Sequence, residues 1–207
     1  MAGLAMKILS DEAILVVKPI AQLDVLESSA DERDLRSVEG FTAPSRRAER
    51  LAWRGVLREI APDAEVEYTP SGAPQLKNSP YTYISVSHCR DAVAVALSCE
   101  VCGVDIERLD RNFSRIASRY VSDEEQRLCD EEWWLAAVWC AKEAMFKCVG
   151  REGVDFCRDL QLTEVDFESG SVRVTAFGVP LGGVIQQLDG AILVAISPTA
   201  DEHFIFI

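Results

Sequence analysis

Only two residues, Arg90 and Asp91, separate the apolar run YTYISVSHC (81–89) from the apolar run AVAVALS (92–98). A connection that short joins antiparallel strands, because a parallel pair needs a crossover of about a dozen residues or more. GVDIE (103–107) follows as a third short strand. The middle of the chain is therefore antiparallel sheet. Upstream, AILVV (13–17) reads as an early strand, and residues 27–42 are polar and mixed, a loop or a short helix. Residues 45–60 are helical, with Leu51, Ala52, Val56, Leu57 and Ile60 on one broad face and Pro62 as the stop. EVEYTPSGAPQL (65–76) is a strand followed by a Pro/Gly turn.

The second half repeats these ingredients. Ser122 and Glu125 form a capping box for a short helix that Cys129–Asp130 interrupts. A longer helix is predicted over 131–148, with Trp134, Val138, Ala141, Met145 and Val149 facing the core and Gly150 placed to end it. Strands alternating with the turns ESGS, LGG and LDGA follow, and the chain ends on HFIFI. Helices and antiparallel strands in this order make an α+β fold, not repeated βαβ units. A boundary near residue 101 gives two halves, 1–101 and 102–207, although no self-similarity marks a repeat.

Composition narrows the function. The net charge is −13, which argues against duplex nucleic acid, since backbone binding needs a basic face. An anionic substrate must then be held by a local basic cluster or through a metal ion. No window is long and apolar enough to cross a membrane. The N-terminal stretch lacks the features of a secretory leader, and seven scattered cysteines read as reduced thiols, so the expected compartment is the cytoplasm. Cys99 and Cys102 have CxxC spacing, but there is no second such pair and the only histidines are His88 and His203, so zinc finds too few ligands.

Three charged clusters remain. On a strand, Asp105 and Glu107 share one face roughly 7 Å apart, while Val104 and Ile106 face the core. Paired carboxylates repel unless solvent or a cation compensates them, and hard oxygen donors suit Mg²⁺, but the same spacing also fits a polar strand edge. In WCAKEAMFK (139–147), Trp139, Glu143 and Lys147 recur at i, i+4 and i+8 on one stripe pointing away from the core, and Lys142 projects about 100° around the helix. An i,i+4 Glu–Lys pair on a solvated face fits that pattern equally. On the helix 45–60, Arg47, Arg50, Arg54 and Arg58 step along one cationic stripe, and residues 43–60 carry five arginines against Glu49 and Glu59. Arginine forks suit phosphate oxygens.

Together these residues resemble the 4′-phosphopantetheinyl transferases, in particular the two-domain, single-chain Sfp type. GVDIE matches that family's G-(V/I)-D-x-E strand. WCAKEAMFK matches its (W/F)-(S/C/T)-x-K-E-(A/S)-x-x-K helix. GAPQL (72–76), ISVSHC (84–89) and RRAERLAWR (46–54) resemble three further blocks in the family's order. Ala73 stands where many relatives carry a basic residue, and Ser85 where an Asn is usual.

The resemblance implies two similar α+β halves related by a pseudo-twofold axis, with coenzyme A in the cleft between them. The implied reaction moves the 4′-phosphopantetheine arm from coenzyme A to a serine of an apo acyl or peptidyl carrier protein of fatty-acid, polyketide or nonribosomal-peptide synthesis. It releases 3′,5′-ADP, and the enzyme works as a monomer. Carried over by position, Asp105, Glu107 and Glu143 hold Mg²⁺, with Mn²⁺ an acceptable substitute. Glu143 acts as base toward the carrier serine, and Lys147, with Lys142 as a second candidate, stabilises charge on the pyrophosphate. Ser87 and His88 contact the nucleotide's 3′-phosphate region with help from Arg47, Arg50 or Arg54, and Gly72, Ala73 and Pro74 lie near the adenine. Phe113, Ile116 and Val121 are expected to form an apolar patch for the carrier. A nucleotide-binding relative that does not catalyse, and a metal-dependent phosphohydrolase, are the competing readings.

Overall fold

The computed structural model describes residues 8–10, 13–70 and 72–198; the HFIFI strand and His203 lie outside them. Six strands form a first antiparallel sheet: β1 (Ile8–Ser10), β2 (Ala13–Pro19), β3 (Glu65–Tyr68), β4 (Pro74–Lys77), β5 (Tyr83–His88) and β6 (Ala92–Ser98). Its order is β1-β2-β6-β5-β4-β3. Five more strands form a second: β7 (Gly103–Arg108), β8 (Leu160–Asp166), β9 (Ser171–Ala176), β10 (Val179–Leu188) and β11 (Ala191–Ser197), in the order β7-β11-β10-β9-β8. Helix α1 (Leu23–Ser29), α2 (Glu32–Arg36) and the long α3 (Pro44–Ile60) precede β3, while α4 (Asp123–Gln126) and the long α5 (Trp134–Val149) precede β8.

Leaving β1 aside, the two sheets are built alike. Each begins with a strand, crosses a long helix, lays down four more strands, and brings the last beside the first. The fold is α+β in two halves.

Three apolar layers explain why several strands read as unbroken apolar runs. Antiparallel strands with one wet face alternate apolar and polar residues. Here β2 is covered on both faces: Ile14 and Val16 pack under Trp53, Val56 and Leu57 of α3. Leu15 and Val17 pack against Val104, Ile106 and Leu193 of the other sheet. The far face of the second sheet lies under α5, where Trp134, Val138, Ala141 and Met145 meet Leu160, Ile192 and Val194. The layer order is helix, sheet, sheet, helix.

The capping box of α4 is present, with Ser122 N–H donating to Glu125 Oε2 at 2.8 Å and Glu125 N–H to Ser122 Oγ at 3.2 Å. The helix is four residues long, and α5 starts at Trp134, three residues later than the sequence pattern suggests. Gly150 ends α5 in the left-handed conformation, φ 59°.

Residues 109–133 correct one expectation. Phe113 is 4 % exposed and Tyr120 is wholly buried, and Ile116 and Val121 pack on the same cluster. These side chains anchor the segment to the body and are not a free patch for a carrier.

Candidate active site

Gly103 sets the site's geometry. A Cβ at this position would stand 1.8 Å from the Ala144 carbonyl oxygen, so only glycine lets α5 cross the start of β7 this closely. Ala136, Ala137, Cys140, Ala141 and Ala144 keep the buried sides of α5 slim for the same approach. The crossing brings the two acidic motifs together.

Val104 and Ile106 turn into the core between the sheets, so Asp105 and Glu107 turn toward α5. The helix answers each carboxylate with a donor. Trp139 Nε1 donates to Glu107 Oε1 at 2.8 Å. Lys147 Nζ donates to Asp105 Oδ1 at 2.8 Å and to the Val104 carbonyl at 2.9 Å. Arg111 Nη1 adds a 2.6 Å bond to Glu107 Oε1. Glu143, one turn from both Trp139 and Lys147, is half-buried and makes no hydrogen bond or ion pair among the described residues.

The cluster is short of positive charge. Burial first, and then the Asp105 carboxylate, raise Glu143 above its ordinary value, with Lys147 pulling the other way. Glu107 is raised by the same two causes in the same order, against Arg111 and Trp139. Asp105 is 5 % exposed, and its Oδ2 is buried with no partner. Among the described residues no three His, Cys, Asp or Glu side chains are drawn together as a ready-made metal cage. An orphaned carboxylate oxygen beside an unpartnered Glu143 is nevertheless a donor set that fits a hard divalent cation.

Beside this cluster lies a recess of about 490 Å³. Gly72, Ala73 and Pro74 wall one side, and Phe146, Lys147 and Arg151, at the end of α5, wall the other. A second recess of about 360 Å³ shares Pro74 and Val86 with it and holds Arg46, Arg50 and His88. Arg50 is caged there, its guanidinium 5.3 Å from the ring centres of both Phe41 and Trp53 and 5.9 Å from that of Tyr68. His88 Nε2 stands 3.4 Å from Glu49 Oε2.

Four expected ligand residues are placed elsewhere. Arg47 bonds Glu27 and the Val38 carbonyl, and Arg54 bonds Asp34 Oδ1 at 2.7 Å, so α1, α2 and the turn after them have claimed both. Arg58 is also paired with Asp34. Lys142 is fully buried, bonded at 2.7 Å to both Glu125 Oε2 and the Phe156 carbonyl, and does not reach the cleft. Ser87 is buried and bonded to Asp105, not open to a nucleotide. Of the CxxC pair, Cys99 is exposed and Cys102 buried, and all seven cysteines are free.

Sequence reasoning missed Arg46, Arg111 and Arg151. It also missed the bond from Trp139 to Glu107, although Trp139 lay on the same stripe as Glu143. Nothing in the local pattern around Arg111 signals that it turns back onto Glu107.

A family model described as the 4′-phosphopantetheinyl transferase superfamily matches residues 101–183. The match covers 83 of the 207 residues. The stretch holds both GVDIE and WCAKEAMFK, the strand and helix that cross at Gly103. No curated protein matched the chain. Among the described residues no helix is long and apolar enough to cross a membrane.

Proposed function

We propose that this chain is a two-domain, Sfp-type 4′-phosphopantetheinyl transferase acting on coenzyme A and an apo acyl or peptidyl carrier protein. Residues 1–101 would hold the nucleotide and residues 102–207 the reacting groups. The observation that carries the reading is Glu143: a half-buried carboxylate without a partner among the described residues, beside the buried Asp105 and one turn from Lys147, which lines the larger recess.

Placement supports each role. Glu143, raised above the ordinary carboxylate range by burial and by Asp105, is suited to take the proton of the carrier serine as its oxygen attacks phosphorus. Lys147, anchored on Asp105 and lining the recess, offers positive charge to the pyrophosphate as 3′,5′-ADP leaves. Arg46, Arg50 and His88 form the basic end where the 3′-phosphate would rest, and the backbone of Gly72–Pro74 would flank the adenine. Asp105, Glu107 and Glu143 would hold Mg²⁺ or Mn²⁺. When bound, such an ion supplies Lewis-acid polarisation of the pyrophosphate and relieves the repulsion among these carboxylates.

The carrier would meet the segment 108–119. Its apolar residues are spent in the core, but Arg111, Arg115 and Arg119 remain exposed on a chain of net charge −13. A local basic surface of this kind can steer an acidic partner. The protein would act as a monomer in the cytoplasm.

The test is intact-mass spectrometry of a panel of apo carriers incubated with the protein, coenzyme A and Mg²⁺. Gain of one phosphopantetheine on a carrier, with release of 3′,5′-ADP, supports the reading. Tight coenzyme A binding without any gain would favour a relative that binds but does not catalyse.

A further inference from the structure

Strand β7 pairs with β11 on one edge only; its other edge meets the face of β5. The outward N–H groups there have no strand to bond, and serine hydroxyls take its place. Ser85 Oγ accepts from Val104 N–H at 3.0 Å, and Ser87 Oγ accepts from Ile106 N–H at 3.3 Å. Both serines are buried, at 5 % and 6 % exposure.

The two serines differ in one respect. Ser87 Oγ also lies 2.7 Å from Asp105 Oδ1. A carboxylate only accepts, so the hydroxyl donates, and its lone pair is what receives the Ile106 N–H. The single proton of Ser87 is thereby committed to Asp105. Lys147 Nζ donates to the same oxygen, so two donors fix Oδ1 while Oδ2 is left without a partner among the described residues. The edge contact needs only an acceptor, as Ser85 demonstrates. The bond to Asp105 is additional.

We propose that Ser87 is a positioning residue for cation binding: it fixes the rotamer of Asp105 from the opposite sheet so that Oδ2 stays free to ligate a divalent cation. The inference rests on the reading of Asp105 as a cation ligand. It gives β5 two tasks, since His88, the next residue, lines the recess holding Arg46 and Arg50. One strand then presents the 3′-phosphate side of the site on one face and orients a carboxylate of the other half on the other.

The experiment is titration of Mn²⁺ into the full chain with coenzyme A present, followed by electron paramagnetic resonance. Wild type is compared with Ser85→Ala, Ser87→Ala, Ser87→Thr and Asp105→Asn. Ser85→Ala and Ser87→Ala each orphan one edge N–H, so their thermal stabilities should fall alike. Only Ser87→Ala should lose cation affinity, by about tenfold or more, the usual effect of removing a partner that orients a ligand. Ser87→Thr, which keeps the hydroxyl, should recover most of it. Equal affinity in the two alanine variants would overturn the positioning role while leaving the cation site standing. Indistinguishable Mn²⁺ binding in wild type and Asp105→Asn would overturn the cation site itself, and the inference with it.

Discussion

Lys142 and Glu143 are adjacent in the chain and live in opposite surroundings. The Lys142 ammonium is sealed 2.7 Å from Glu125 Oε2, with both side chains at or below 1 % exposure, whereas Glu143 is half-buried and has no partner among the described residues. Burial pulls Lys142 below its ordinary value, and the bond it donates to the Glu125 carboxylate works against that. Glu125 also accepts the N–H groups of Ser122 and Leu162, so the pair ties the β7–α5 connection and β8 to the helix. Lys142→Met should therefore cost about 3–5 kcal/mol, because it strands a buried carboxylate. Adding Glu125→Gln, which removes the charge and keeps an acceptor, should restore part of the loss. Urea unfolding of the three proteins measures both.

Glu143 should respond to pH in the opposite sense to an ordinary surface carboxylate. Its folded-state pKa is raised above the usual 4.5, by burial first and by Asp105 second. The folded chain therefore holds this proton more tightly than the unfolded chain does. Stability from the protonated form is full below about 4.5 and is lost as pH rises through the raised value. Glu143→Gln should be more stable than wild type at neutral pH, and the difference should vanish in acid. Transfer should fall about 10²–10⁴-fold in the same variant, the range for loss of a general base. Paired melting curves from pH 4 to 8 with a transfer assay separate the two effects.

Gly103→Ala should be poorly tolerated despite its small size. The added methyl meets backbone, the Ala144 carbonyl at 1.8 Å, which no rotamer change can move aside. Overpacking of this kind costs about 1–3 kcal/mol or more. Since α5 must lift from β7, transfer should fall further than the lowered melting temperature alone explains.

Arg115 and Arg119 are exposed and make no ion pair among the described residues, so Arg115→Glu with Arg119→Glu should leave the fold intact. Association with an acidic carrier should slow by about tenfold at low salt and approach wild type at high salt, where such steering is screened. Stopped-flow association rates at two ionic strengths are the check.

How much of this was legible in the sequence depended on the range of the interaction. The hairpin at Arg90–Asp91, the Ser122–Glu125 capping box, the stop at Gly150 and the shared face of Asp105 and Glu107 are all local, and the fold keeps them. The stripe of Trp139, Glu143 and Lys147 follows from helical spacing, and the helix crosses β7 where that stripe meets the carboxylates. Distant polar pairing was not legible. Glu27 and Asp34 hold Arg47, Arg54 and Arg58 away from the two recesses, and they sit in a stretch that read only as polar and mixed. Lys142 finds Glu125 seventeen residues upstream, and Phe113 finds a core no periodicity predicts.

The central claim is that the carboxylates of β7 and α5 drive a metal-dependent transfer from coenzyme A. The most direct measurement is the intact mass of an apo carrier after incubation with coenzyme A and either wild type or Asp105→Asn, each with Mg²⁺ or with EDTA. The account predicts one added phosphopantetheine in the wild-type Mg²⁺ reaction and almost none in the other three. Full modification in EDTA, or by Asp105→Asn, would contradict it.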